Sequence, residues 1–178
     1  MNLLEHLNQC AGAEFVERLG GIYEHSPWVP EAAIGLRPFA SIEALRSALV
    51  EVVAAASADQ KMALIRAHPE LAGKAALQGQ LTRESSHEQS AAGLDRCTPE
   101  EFNTLQTLNA GYNAKFGFPF ILAVRGPDGQ GLTRQQIIAL FTARCEHDRA
   151  AEIDEALRQI HLIAGLRIGL LLAKDQAP

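Results

Sequence analysis

In the stretch IRAHPELAGKAA, residues 65–76, an imidazole stands directly before a proline. A helical pattern leads into it and must stop near Pro69, because the proline ring disfavours the helical conformation of its predecessor. His68 therefore falls at a helix end, where backbone carbonyls favour a cation. Its side chain titrates near neutral pH and can donate or accept a proton. Two roles fit: a helix C-cap, which is the commoner one, and a proton carrier held by the fixed exit of the chain. A second stretch, TRESSHEQSAAGL, pairs Ser85 with Glu88 and Ser86 with Gln89 at the spacing of a capping box. The same geometry at a helix start turns unpaired N–H groups toward an anion. Its hydroxyls, carboxylate and amide also give a polar ligand both donors and acceptors, and Glu88 is suited to accept from ligand N–H groups.

Two further features raise the question of what satisfies them. Arg167 lies three residues after Ala164 and four before Leu171, on the apolar stripe of a C-terminal helical pattern. A guanidinium keeps its charge on burial, so it must snorkel, pair with a protein carboxylate or bind a ligand anion. In FPFILAV an extended segment outside any sheet leaves N–H and C=O groups to satisfy; it is either a buried connector or a backbone edge for a heterocyclic amide. Metal binding has little support. His68 and Glu70 are two apart, His87 and Glu88 are adjacent, and no HExxH occurs. His147 with Asp148 reads as capping at a helix junction, and His6, His25 and His161 as surface or boundary residues. P-loop, GxGxxG and GxSxG motifs are missing from the sequence.

The elements that must position these residues are helices. Ser41 caps a pattern running through Ile42, Leu45, Leu49 and Val52. Ser57 and Gln60 open the helix that ends near Pro69. Thr98, with Pro99 at the first helical position and Glu100 and Glu101 behind it, starts a helix carrying Phe102, Leu105, Leu108, Tyr112 and Phe116. Thr133 and Gln136 form another capping box, and the last helix spans about Asp148–Lys174. GKAALQGQL reads as a loop or broken helix, and GPDGQG as a turn. One strand candidate makes no sheet. The fold class is all-α, a single-domain multi-helix bundle over residues 1–178.

Composition bounds the function. The chain has 178 residues, 47% of them hydrophobic, and a formal charge of −5, which argues against nucleic-acid binding. Cys10, Cys97 and Cys145 are odd in number and far apart, which suits a reducing compartment. MNLLEHLNQC lacks a signal-peptide pattern, KDQAP carries no peroxisomal tripeptide, and the apolar run near IGLLLA is too short for a membrane span. The expectation is a cytoplasmic protein with no membrane partner.

Taken together, HPELAGKAA, LTRESSHEQSAAGLD and LNAGYNAKFGFPFILAVRG, in this order, resemble the OHCU decarboxylase family, whose substrate is 2-oxo-4-hydroxy-4-carboxy-5-ureidoimidazoline. FVERLGGIYEHSPWVPE and LRQIHLIAGLRIG extend the resemblance over almost the whole chain. It implies an all-helical fold, a homodimer, a small-molecule substrate, no cofactor and no metal, in urate breakdown. It matches His68 to the catalytic acid/base, with Glu88 and Arg167 as its catalytic companions. Pro69, Ser85, Ser86, His87, Glu88 and Gln89 would line the substrate site, and the backbone of Phe120, Ile121, Leu122, Ala123 and Val124 would contact the ring. Arg158 is the alternative to Arg167, because the GPDGQG turn loosens the alignment beyond it. The rival functions are decarboxylation of a related ureido or hydantoin acid, and a non-catalytic helical module of a urate-degrading assembly.

Overall fold

The computed structural model describes residues 2–125 and 130–175, so most of the stretch GPDGQG, expected to be a turn, lies outside the described residues. Among them are ten α-helices and two short 3-10 turns, and the only β pairing is an isolated bridge, Arg125 to Gly131. The expected all-α class is what the structure has. The chain divides into two compact units, residues 1–64 with 163–178 and residues 65–162.

The first unit holds α1 (Leu3–Gln9), α2 (Gly12–Leu19), α3 (Trp28–Ala33), α4 (Ile42–Ala55) and most of α5 (Ala58–Arg66). Ser41 caps α4 as its spacing predicts, its side chain accepting from Ala44 N–H. The core is apolar, built on Leu3, Leu7, Phe15, Leu19, Val29, Leu45 and Leu49. Phe15 stacks on Phe39, and the Arg37 guanidinium lies over the Phe15 ring.

The second unit holds the end of α5, α6 (Lys74–Leu77), α7 (Arg83–Ala91), α8 (Pro99–Phe116), α9 (Arg134–Arg144) and the first half of α10 (Arg149–Asp175). The boxes expected at Ser57/Gln60 and Thr133/Gln136 are formed, and the Thr98 cap is completed by Glu101 into a third. Asp148 opens α10 by accepting from Ala151 N–H. Tyr112, Phe116, Phe118, Phe120 and Phe141 form the aromatic core, with Phe120 stacked on Phe141 at 3.8 Å.

Two expectations are corrected. α5 ends at Arg66, not at His68; the His68 N–H bonds the Ile65 carbonyl in a tighter closing turn. α7 starts earlier than its serines suggest, because the Thr82 hydroxyl accepts from Ser85 N–H and takes the cap. Ser85 to Gln89 therefore lie inside the helix, not at its open end. α10 is long and apolar enough, by length and composition, to cross a membrane, which its last apolar run alone does not reveal. Its Ala156, Ile160, Ile163, Ala164 and Ile168 are nonetheless buried within the protein.

Candidate active site

His68 is 7% exposed and is followed by a loop, Pro69–Gly73, held by side-chain amides. Gln89 of α7 grips it twice: its Oε1 accepts from Ala72 N–H at 2.9 Å and its Nε2 donates to the Glu70 carbonyl at 3.1 Å. α8 supplies the other side. Gln106 Nε2 donates to the Ala72 carbonyl at 2.8 Å, Asn109 Nδ2 to the Leu71 carbonyl at 3.0 Å, and Asn113 Nδ2 to the Glu70 carboxylate. Residues 106, 109 and 113 share one helix face, since three- and four-residue steps return to the same side.

Ala72 shows what this clamp sustains. Its φ of 50° lies in the left-handed region, which an L side chain adopts only when its surroundings enforce it. Here Gln89 and Gln106 hold both its backbone groups. Gly73 is equally constrained, because a Cβ there would sit 2.6 Å from Glu70 Cβ and 2.8 Å from Glu70 Oε2. Gly73→Ala is expected to displace Glu70 from Asn113, lower stability by about 1–3 kcal/mol and slow turnover. Thermal melting and a rate assay check this, and an unchanged melting temperature with full activity would refute it.

The helical turn of α7 sorts the sequence-predicted block. Ser85 and Gln89, four apart, are buried together; Glu88 is half-buried at their edge; Ser86 and His87 are exposed. Gln89, expected to hold a ligand ring, engages both polar atoms with the His68 loop. His87 Nε2 meets Arg125 Nη1 at 3.2 Å, which links α7 to the end of the Phe120–Val124 segment.

That segment is irregular, and two side chains and one backbone N–H stand in for a neighbouring strand. Arg144 Nη1 donates to the Ile121 carbonyl at 2.7 Å, Ala123 N–H donates to Gln159 Oε1 at 2.8 Å, and Leu132 N–H donates to the Val124 carbonyl at 2.8 Å. Arg144 is in turn paired with Glu152, Nη2 to Oε2 at 2.8 Å, and Glu152 also accepts from the Tyr112 hydroxyl and meets His147 Nδ1 at 2.7 Å. Burial would raise the Glu152 carboxyl, but hydrogen bonds from Arg144, Tyr112 and His147 outweigh it and hold the group below the usual range. Tyr112 is driven up by burial and by Glu152, so its hydroxyl remains a donor. Burial holds the His161 imidazole below its ordinary range.

Arg167 is satisfied by protein. In the first unit its Nη1 donates to Glu24 Oε2 at 2.8 Å and to the Gly21 carbonyl at 3.0 Å, and both side chains are buried. Arg158 makes a two-pronged pair with Glu155 on its own helix, pulling that carboxyl down to about 2, and is largely exposed. Among the described residues one group offers three metal-ligand donors together: His6, Cys10 and Glu14, within 4.8 Å of one another. Its Glu14 oxygen is already bonded to His6 at 2.6 Å and to Arg18 at 3.2 Å.

Sequence reasoning missed Gln106, Asn109, Asn113, Arg144 and Glu152. The amides carried a signal, a polar face at helical spacing beside an apolar one. Arg144 and Glu152 carried only their presence at the end of one helix and the start of the next.

The chain was compared with known proteins. The sequence model of the family described as OHCU decarboxylase matches residues 8–169. A 2-oxo-4-hydroxy-4-carboxy-5-ureidoimidazoline decarboxylase of Halalkalicoccus jeotgali is 41% identical over 93% of this chain and 89% of its own. One of the same name from Haloferax volcanii is 39% identical over 93% of both chains. A crystal structure of (S)-allantoin synthase superposes with a TM-score of 0.73 at 32% identity, covering 96% of this chain and 53% of that longer one. A crystal structure of OHCU decarboxylase in the presence of (S)-allantoin has a TM-score of 0.68 at 20% identity, a likeness of fold.

Proposed function

The chain belongs to the OHCU decarboxylase family, and from that premise we propose that it is a carboxy-lyase converting 2-oxo-4-hydroxy-4-carboxy-5-ureidoimidazoline to (S)-allantoin and CO2 in urate breakdown. The observation that carries this reading is the near-full-length match to relatives of that name, in a chain that buries His68 beside a clamped loop. The match runs through both compact units, which supports treating residues 1–178 as one functional domain.

Decarboxylation leaves an electron pair that must be accommodated. The substrate provides its own acceptor, because a ring C=N adjoins the carbon bearing the carboxylate. As the C–C bond to CO2 breaks, its pair forms a ring C=C, the C=N pair moves onto nitrogen, and that nitrogen is protonated. The resulting enol loses its hydroxyl proton and gains a proton on the neighbouring carbon, which becomes the stereocentre. His68 is the group that takes or relays these protons. Glu88 orients the ureido or ring N–H groups and His68, and Ser85 and the Phe120–Val124 backbone hold the ring. Pro69 fixes the exit of the His68 turn, and Ser86 and His87 bound the site on the α7 side. Gln89 acts through the loop it grips. Arg167 is assigned to a substrate oxygen on the family resemblance, with Arg158 as the alternative.

The compartment in this proposal is the cytoplasm, which suits three free thiols, and the assembly is a homodimer, testable by light scattering. No cofactor takes part. The test makes the substrate in situ from urate with urate oxidase and hydroxyisourate hydrolase, then follows circular dichroism as the chain is added. A fast optical signal of (S)-allantoin is expected. A rate no faster than the slow racemic decay, from folded protein, would reject the reading. Adding a strong chelator is expected to leave the rate unchanged; inhibition reversed by zinc would reject the cofactor-free mechanism.

A further inference from the structure

The Phe120–Val124 segment is anchored by two buried side chains from different helices. Arg144, at the end of α9, reaches the Ile121 carbonyl; Gln159, on α10, reaches the Ala123 N–H. Their exposures are 6% and 5%. Each is itself held: Arg144 by Glu152 through Nε at 3.0 Å and Nη2 at 2.8 Å, and Gln159 by its Nε2 donating to Glu155 Oε1 at 2.8 Å. The Arg144 guanidinium also lies over the Phe120 ring, 4.4 Å from its centroid. The guanidinium thus fixes a side chain, a carbonyl and a carboxylate in one geometry.

Packing alone does not call for this arrangement. Burying an ion pair carries a large desolvation penalty, and apolar side chains of similar volume often fill such a place with no loss of stability. What apolar side chains cannot do is aim a backbone. Two bonds, one to a carbonyl and one to an N–H two residues on, leave a short segment little freedom to twist between them. The geometry points to Arg144 and Gln159 as positioning residues for the reaction: they set the bearing of backbone 121–123, against which the substrate ring lies. This rests on the proposed role of that backbone in contacting the ring. A misaligned reacting group can lose about 100-fold in rate, and misalignment of the ring would also loosen the choice of protonated face.

The test uses Gln159→Met and Arg144→Lys in the full chain. Gln159→Met has similar volume, removes the acceptor for Ala123 N–H and introduces no buried charge. Arg144→Lys keeps the charge beside Glu152 but cannot also span to Ile121. Four quantities are measured well below the melting temperature: hydrogen exchange of the Ala123 amide, kcat, KM and the enantiomeric excess of allantoin. For Gln159→Met the expected result is faster Ala123 exchange, a kcat lower by about tenfold or more, and a reduced enantiomeric excess with unchanged helical signal. Arg144→Lys is expected to show the same losses in turnover. Faster Ala123 exchange with wild-type kcat and enantiomeric excess would overturn the positioning role. Unchanged exchange would overturn the anchoring itself. If Arg144→Lys does not fold, Gln159→Met decides. If the wild-type chain makes no (S)-allantoin, the functional reading fails with the catalytic half of this inference, while the exchange result still judges the anchor.

Discussion

His68→Ala is expected to lower the rate of (S)-allantoin formation by about 10²–10⁴-fold, the span that a positioned general acid or base contributes. The protein should remain folded. The loop after His68 is held by Gln89, Gln106, Asn109 and Asn113, none of which needs the imidazole. Loss of a buried side chain at a closing turn should lower stability by about 0.5–3 kcal/mol. The substrate also decays unaided to racemic product, so the variant should yield allantoin that is slower to form and less enantiopure. Circular dichroism of the product and a thermal melt of the variant check both parts. Full stereoselective activity in folded His68→Ala would remove the histidine from the mechanism.

Glu152 carries the largest expected effect on stability. Its side chain is fully buried and receives Arg144, the Tyr112 hydroxyl and His147. Glu152→Ala strands the buried Arg144 guanidinium, and breaking a buried pair from one side costs about 3–5 kcal/mol. Removing both partners should cost less, so Arg144→Met with Glu152→Met is expected to be more stable than Glu152→Ala. The pH dependence follows from the depressed carboxyl. A group whose folded pKa lies below its unfolded value contributes its full stability above the unfolded value, near 4.5 here, and loses it as pH falls through the folded one. The wild type should therefore lose stability on acidification below about pH 4.5, and Glu152→Gln should show a smaller part of that loss. Urea melts across pH 3–7 measure it; identical acid profiles would rule out Glu152 as a contributor.

How far the sequence alone reaches is clear from particular residues. Ser41, Thr98 and Thr133 cap their helices because a cap joins residues three apart, and the whole interaction is written in one short stretch. Thr82 shows the limit of that rule: TRESSHEQ holds several residues able to cap, and the structure uses the earliest. Arg167 shows another. Its place on an apolar stripe establishes that something must satisfy it, and Glu24, 143 residues away, is what does.

By itself the sequence determined the helical class, the starts of α4, α5, α8, α9 and α10, the placement of His68 at a chain bend and the family to which the motifs belong. Each is a matter of local spacing or of residue types in order. Only the tertiary structure decided that Gln89 holds a loop 17 residues behind it, that Asn109 reaches back 38 residues to Leu71, and that Arg144 steadies a segment 23 residues earlier. The physical reason is that an amide or a guanidinium satisfies its hydrogen bonds with any backbone group of suitable geometry. Which group that is depends on how the helices pack, and packing is a property of the folded whole.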